Sequence, residues 1–377
     1  MSTLKVTNIQ HGSASTAAIA LNSDGQATLN GLNFPSAGPL SSRNLIVNGA
    51  MAVAQRGTSS TDNGYGTVDR YKASYSGGTV TQTQTAITSG DPYDEGFRSV
   101  LRLTNTTSNT GTSANRIITQ KIEAQNMANS GWNYTSSSSY VTLSFWARAS
   151  VAQTYYVNLK TSDGTSQNYS TSFALSADTW TKVTKTIPGN SSVAFDNNNE
   201  QGLQVHIVIF RGTDSTTSGH TLDGWAAYSG SDIVPDMTNT WAGTTDATFD
   251  ITGVQLEVGQ VATPFERRSY ADELRRCQRY FQSMNVANMK FTTARWDQSQ
   301  GVGECNVYLR ETMRSAPSFA FTGTWDTGTG WGGDPVMTLA REDFVVLTTT
   351  VSTIAASGVK VMRTETAGAT ISFAAEL

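Results

Sequence analysis

Short stretches of strictly alternating apolar and polar residues recur along the chain. In Tyr140–Ala149, Val141, Leu143, Phe145 and Ala147 fall on one side. Tyr140, Thr142, Ser144, Trp146 and Arg148 fall on the other, the period-two signature of a half-buried strand. Leu203, Val205, Ile207 and Ile209 repeat the pattern opposite Gln204, His206, Val208 and Phe210, and residues 180–187 and 249–258 read as further strands. Asn63-Gly64, Asp163-Gly164 and Pro188-Gly189 mark turns between such runs. Many short strands separated by turn residues, without interleaved helices, predict an all-β chain built as a sandwich or barrel.

One segment breaks the pattern. Residues 269–284 carry Ser269 followed three positions later by Asp272, a capping-box start with Asp in place of Glu or Gln. Asp272 and Glu273 lie early and Arg275, Arg276 and Arg279 later, which suits a helix macrodipole. Tyr270, Leu274, Cys277, Phe281 and Met284 then fall on one face in heptad spacing. That face has two readings: packing onto its own chain, or a short self-association seam between subunits.

The resulting organisation is a segment over 1–43, a main sandwich over 44–265, a helix over 266–290 and a smaller β module over 291–377. Residues 1–43 end in the linker-like Pro35-Ser-Ala-Gly-Pro39 and contain a hairpin pattern over 19–29 around Asp24-Gly25. So small an apolar surface cannot form a core alone, and the segment is expected to dock on something else.

Composition narrows the function. Charged residues make up 15 % of the 377 residues, against about 25 % in ordinary globular proteins, and hydroxyl, amide and glycine residues take their place. A net charge of −4 gives no global basic field for nucleic acid. The first residues show no apolar leader, and the longest apolar run, residues 205–210, is far too short to span a bilayer. Cys277 and Cys305 are too few for a disulfide framework or a zinc cage and are expected as two reduced thiols. His11, His206 and His220 are scattered, and no metalloprotease, hydrolase-elbow or phosphate-loop motif is present. Asp94-Glu95 and Glu342-Asp343 are adjacent pairs, which point to opposite faces of a strand. The expectation is therefore a protein that is not an enzyme and carries no cofactor or metal.

Aromatic residues in polar, glycine-rich loops stand out instead. Trp225 and Tyr228 lie in 224–230, Trp241 in 239–243, and Trp325 and Trp331 in 322–333. Their flat faces could stack on sugar rings while Asn, Gln, Asp and Ser bond the hydroxyls. An uncharged, amide-rich chain suits an uncharged saccharide.

Asn44-Leu-Ile-Val-Asn-Gly-Ala-Met51, residues 249–259 with Ala262-Thr-Pro-Phe-Glu266, and residues 272–281 occur in this order. With residues 309–317 and 371–377, they resemble bacteriophage tail-fibre (receptor-binding) proteins of phages infecting aquatic bacteria and cyanobacteria. Residues 44–265 also resemble jelly-roll carbohydrate-binding modules that open on an N-L-x-x-N-G strand. The resemblance implies a virion protein assembled in the host cytoplasm and adsorbing to a host-surface glycan. It further implies a homotrimer, and attachment to other virion tail proteins through residues 1–43. A capsule-depolymerising tailspike and a fibre or baseplate joint without receptor contact are the alternatives. In such modules an acid after the opening Asn-Gly and one on the closing strand often hold calcium. Asn48-Gly49-Ala50-Met51 has no carboxylate and only Asp250 remains, so no metal is assigned.

Overall fold

The computed structural model describes residues 7–9, 19–21, 27–29, 32–33, 41–238, 240–286, 290–297, 302–323, 334–350, 358–363 and 369–377. The chain divides into two compact units, residues 1–268 and 269–377, and is all-β apart from short helices.

In the first unit, β1 (Asn8–Ile9), β2 (Ile19–Leu21), β3 (Ala27–Leu29) and β4 (Leu32–Asn33) form a small sheet in chain order. Ile19 faces Leu29 and Leu21 faces Ala27, the pairing expected of a hairpin over 19–29. The sandwich begins with β5 (Ser59–Ser60), β6 (Lys72–Ser76), β7 (Thr81–Ala86), β8 (Ser99–Thr104), β9 (Asn115–Glu123) and β10 (Tyr140–Ala149). It continues with β11 (Gln153–Thr161), β12 (Gln167–Leu175), β13 (Thr181–Pro188), β14 (Gln201–Arg211), β15 (Trp225–Ala227) and β16 (Thr248–Val258). These make two six-stranded sheets, β13-β10-β16-β8-β7-β5 and β15-β12-β11-β14-β9-β6. Helices α1 (Asp91–Asp94), α2 (Ala124–Ala128) and α3 (Thr240–Gly243) are single turns in the connections.

The alternation read from the sequence decides which side chains meet between the layers. Val141, Leu143 and Phe145 of β10 face Tyr155, Val157 and Leu159 of β11 and Leu203, Val205 and Ile207 of β14 in one continuous core. Phe145 and Phe173 meet edge to face at 5.3 Å, as do Tyr155 and Phe249.

The opening segment is held to the closing strand by buried polar groups. Asn44 donates from Nδ2 to the Val254 carbonyl at 3.1 Å, and its Oδ1 accepts from the Ile46 and Leu256 amides. Asn48 bonds the Val53 and Asp69 carbonyls and the Ala52 and Val53 amides, so both ends of its amide are satisfied. Its φ of 61° is a left-handed position that asparagine tolerates. Glu266 accepts from the Arg43 and Asn44 amides and from Arg268. Glu257 is clamped by the Thr263 amide and hydroxyl and lies 3.5 Å from Arg43. The opening segment at 43–48 and the residues at 254–268 thus meet at one structural latch.

In the second unit, α4 (Tyr270–Gln278) starts on Ser269, whose hydroxyl accepts from the Asp272 amide at 3.1 Å and donates to its carboxylate. Eight strands follow: β17 (Phe281–Asn285), β18 (Lys290–Asp297), β19 (Val302–Tyr308), β20 (Ser318–Phe321), β21 (Val336–Ala340), β22 (Phe344–Thr350), β23 (Gly358–Arg363) and β24 (Thr370–Ala374). They form sheets β17-β24-β20 and β21-β22-β19-β18-β23 around a core that includes Cys305, Val307, Val345, Leu347, Ile371 and Phe373.

The heptad reading needs correction. The helix ends at Gln278, and Phe281 and Met284 lie on β17, opposite Ala374 and Ile371 of the C-terminal strand. The fully buried Gln282 fixes the switch: it donates to the Gln278 and Glu311 carbonyls and accepts from the Arg310 amide. A side chain so placed belongs to a strand face, and continuing the helix would orphan those groups. Cys277 is buried and Tyr270 is exposed, so Tyr270, Leu274, Cys277, Phe281 and Met284 do not form a continuous helical seam.

Two predictions follow from the latch. A Cβ on Gly49 would lie 2.1 Å from the Val254 carbonyl oxygen and 3.2 Å from the Phe265 ring. Gly49→Ala should therefore lower stability in urea denaturation by about 1–3 kcal/mol or more. The Glu266 carboxyl is raised by burial, but this is outweighed by the Asn44 amide, Arg268 and the Arg43 amide, leaving it below its ordinary value. Its stabilisation is present above the ordinary carboxylate range and is lost as pH falls through the lowered value. In pH-dependent melts, Glu266→Gln should be less stable than the parent at neutral pH and converge with it in acid.

Candidate functional site

The outer face of the second sheet is built by register. Across β12, β11, β14 and β9, one row runs Asn168, Lys160, Gln204, Lys121. The next row runs Ser170, Asn158, His206, Thr119 and reaches Lys72 on β6. A third runs Ser172, Tyr156, Val208, Ile117, Ser74. The connection over residues 212–238 folds across one side. Ile233 and Val234 pack on Tyr156 and Val208, and the Ile233 carbonyl accepts from Ser170 and Asn168.

What stays open is polar and basic. Lys72, Lys121, Lys160, Gln204, His206, Arg211 and Tyr228 are all half-buried. The Lys160 ammonium lies 3.8 Å from the centre of the Tyr228 ring, a cation–π contact. His206 Nδ1 is 2.8 Å from the Thr119 hydroxyl. Burial, and then the charges of Arg211, Lys160, Lys121 and Lys72, hold the His206 imidazole well below its ordinary pKa, so the ring is neutral at physiological pH. Burial and the Arg211 charge likewise lower the Lys160 ammonium. Among the described residues, the buried Arg211 Nε and Asn158 Oδ1 on this face have no hydrogen-bond partner.

The first sheet's outer face is different, because its charges are consumed internally. Asp250, fully buried, takes Arg102 at 2.7 and 2.9 Å and Arg148 at 2.7 and 3.2 Å. The acid that the family resemblance would offer to calcium is thus neutralised by two guanidiniums. Among the described residues no group of three or more metal-ligating side chains comes together. Glu95 accepts from the Trp146 indole and from Lys182, at the rim of a cleft of about 410 Å³ lined also by Phe265 and Arg267.

The aromatic residues singled out from the sequence separate. Tyr228 lies on the basic face, and Trp225 sits beside it on the edge strand β15. The Trp225 indole donates to the Pro188 carbonyl at 2.7 Å, and its ring packs 5.4 Å from Tyr169, so much of it serves the core. Trp241 is a correction. It is fully buried and its indole donates to the Thr248 carbonyl at 3.0 Å, so it cannot touch a ligand. A large ring in a small-residue loop is more stable tucked beneath it. Trp325 and Trp331 lie outside the described residues. Sequence reading missed Lys72, Lys121, Lys160 and Arg211. The outward positions of Gln204 and His206 were legible, but only register brings the lysines of three other strands beside them.

No family model and no curated protein matches the chain. Among solved structures, the enzymatically active domain of bacteriophage CBA120 tailspike protein 4 is 12% identical over 57% of this chain, with a TM-score of 0.31. The chain spans 21% of that protein. The N-terminal cellulose-binding domain of Cellulomonas fimi β-1,4-glucanase C is 13% identical, covering 56% of this chain and 99% of that one, with a TM-score of 0.28. A family 11 carbohydrate-binding module from Clostridium thermocellum, in complex with a β-1,3-1,4-mixed-linked tetrasaccharide, is 7% identical, covering 55% and 98%, with a TM-score of 0.27. Likenesses this distant assign no function, and the functional reading rests on the side chains above.

The two placements give opposite expectations for stability. Trp241→Ala should cost about 3–5 kcal/mol through the cavity it leaves. Tyr228→Ala, at a half-buried ring beside the Tyr156 and Val208 cluster, should cost less, about 1–2 kcal/mol. Thermal melts of the two variants measure the contrast.

Proposed function

We propose that this chain is a glycan-binding component of a bacteriophage tail fibre that holds the particle to its host surface without cleaving the polymer. The observation that carries the reading is the open outer face of the second sheet. There amide, hydroxyl, imidazole and ammonium groups stand in rows beside Tyr228. Such a face offers donors and acceptors at the spacing of neighbouring strands, about 4.7–4.9 Å, to a chain of sugar hydroxyls. The tail-fibre context comes from the shared motifs at 44–51, 249–266 and 272–281. In that context residues 1–43 attach the protein to the tail and three copies act together, so weak contacts gain through effective concentration.

The state of the acids supports a binder. A glycosidase needs one carboxyl kept protonated near neutral pH beside a second carboxylate. Here Asp250 and Glu257 are fixed by arginine or threonine, and Glu95 and Glu266 are held below their ordinary values, with burial opposed by their hydrogen bonds and cationic neighbours. One observation favours the depolymerase reading: burial raises the Asp163 carboxyl, and this outweighs the hydrogen bond it accepts from the Asp196 amide, with the Asp196 charge adding to the rise. The purified chain should bind intact host cells and release no reducing ends from host polysaccharide. Lys160→Gln combined with Tyr228→Ala should weaken cell binding about tenfold while the variant stays folded, its melting temperature lowered by only a few degrees. Unchanged binding by the folded double variant would remove this face from the site, and release of reducing ends would make the chain an enzyme.

A further inference from the structure

We propose that the polymer held on this face is an acidic polysaccharide, its carboxylates set against the cluster of Lys72, Lys160, Arg211 and Lys121. This deepens the glycan reading and rests on it. The sequence argued for an uncharged sugar because the chain as a whole is poor in charge, but the fold gathers its cations locally.

Several cations elsewhere on the sandwich have carboxylate partners. Arg102 and Arg148 share Asp250, Lys182 pairs with Glu95, Arg268 with Glu266, and Arg43 lies against Glu257. On the basic face, Lys72, Lys160 and Arg211 have no carboxylate within ion-pair distance among the described residues. They stand close enough that Arg211 disfavours the charged form of Lys160, and Lys72, Lys160, Lys121 and Arg211 all act on His206. Gathering like charges costs free energy, and a ligand bringing negative charge relieves it. Arg211 Nε is buried with no acceptor, a donor that a ligand oxygen can satisfy.

The dimensions agree. Lys72 on β6 and Lys160 on β11 are separated by β9 and β14, three strand spacings or about 14 Å, which a short run of linked sugar rings covers. Gln204 and Thr119 lie between them, able to meet ring hydroxyls between the charges. A nucleic acid is the less suited polyanion. Single strands are held on aromatic platforms, whereas here Tyr228 has one ring face covered by Lys160, and the whole chain is net negative.

The test uses the purified full chain in affinity electrophoresis and calorimetry. The probes are polygalacturonate, alginate and hyaluronate, each beside its carboxyl-reduced neutral form, and a single-stranded DNA 20-mer. The expected result is that at least one acidic polymer binds about tenfold or more tighter than its reduced form, and weakens as salt rises. Lys72→Gln with Lys160→Gln, two substitutions at half-exposed positions, should abolish that difference while leaving the melting temperature unchanged. Arg211→Gln should do the same if it folds. Equal or tighter binding of the reduced forms would overturn the acidic assignment and leave the glycan reading standing. No binding of any polysaccharide in either form would overturn both. DNA binding as tight as the best acidic polymer would also overturn the assignment, in favour of a general polyanion surface.

Discussion

The sandwich depends on buried polar groups that tie the beginning of its chain to the end. Asn44 bonds the backbone of Val254 and Leu256, Glu266 the Arg43 and Asn44 amides, and Arg268 the Ile46 and Asn44 carbonyls, joining residues more than two hundred positions apart, while Asn48 and Glu257 brace the turns on either side. Each of these groups would cost free energy if buried alone, and together they leave few donors or acceptors unmet. This closure sets β16 between β10 and β8 in the first sheet. With that strand fixed, Phe249 and Ile251 face the core and Asp250 faces its two arginines.

Closure also explains what the second sheet is free to do. The first sheet's outer face binds its own charges, through Asp250 with Arg102 and Arg148 and through Glu95 with Lys182. The second sheet spends hydrogen bonds beneath the 212–238 connection, at Asn168 and Ser170, and leaves Lys72 and Lys160 with no carboxylate partner among the described residues. The same alternation that fills the core with Val205 and Ile207 turns Gln204 and His206 outward, so the polar rows of this face are a by-product of strand geometry.

Much of the fold was legible in the residues. Tyr140–Ala149 forms the strand its alternation predicts, residues 19–29 pair as a hairpin, and Ser269 caps a helix through Asp272. The heptad over 270–284 misled, because a spacing of three and four also fits a helix turn followed by a strand. Gln282, whose buried contacts decide the matter, looks like any surface glutamine in sequence. The site was half legible. Tyr228 was found as an aromatic in a polar loop, but Trp241 in similar company is core, since composition does not tell which ring turns inward. The lysine cluster was hidden because strand order, β11-β14-β9-β6, is not chain order.

The central claim is that a saccharide lies across the outer face of the second sheet. Lysine footprinting by mass spectrometry, with and without saturating host-surface polysaccharide, reads that face directly. The account predicts that Lys72 and Lys160 become slow to acylate when the polymer is bound, while Lys182 on the opposite sheet keeps its rate. Protection confined to lysines outside β6, β9 and β11, with Lys72 and Lys160 unchanged under saturation, would contradict it.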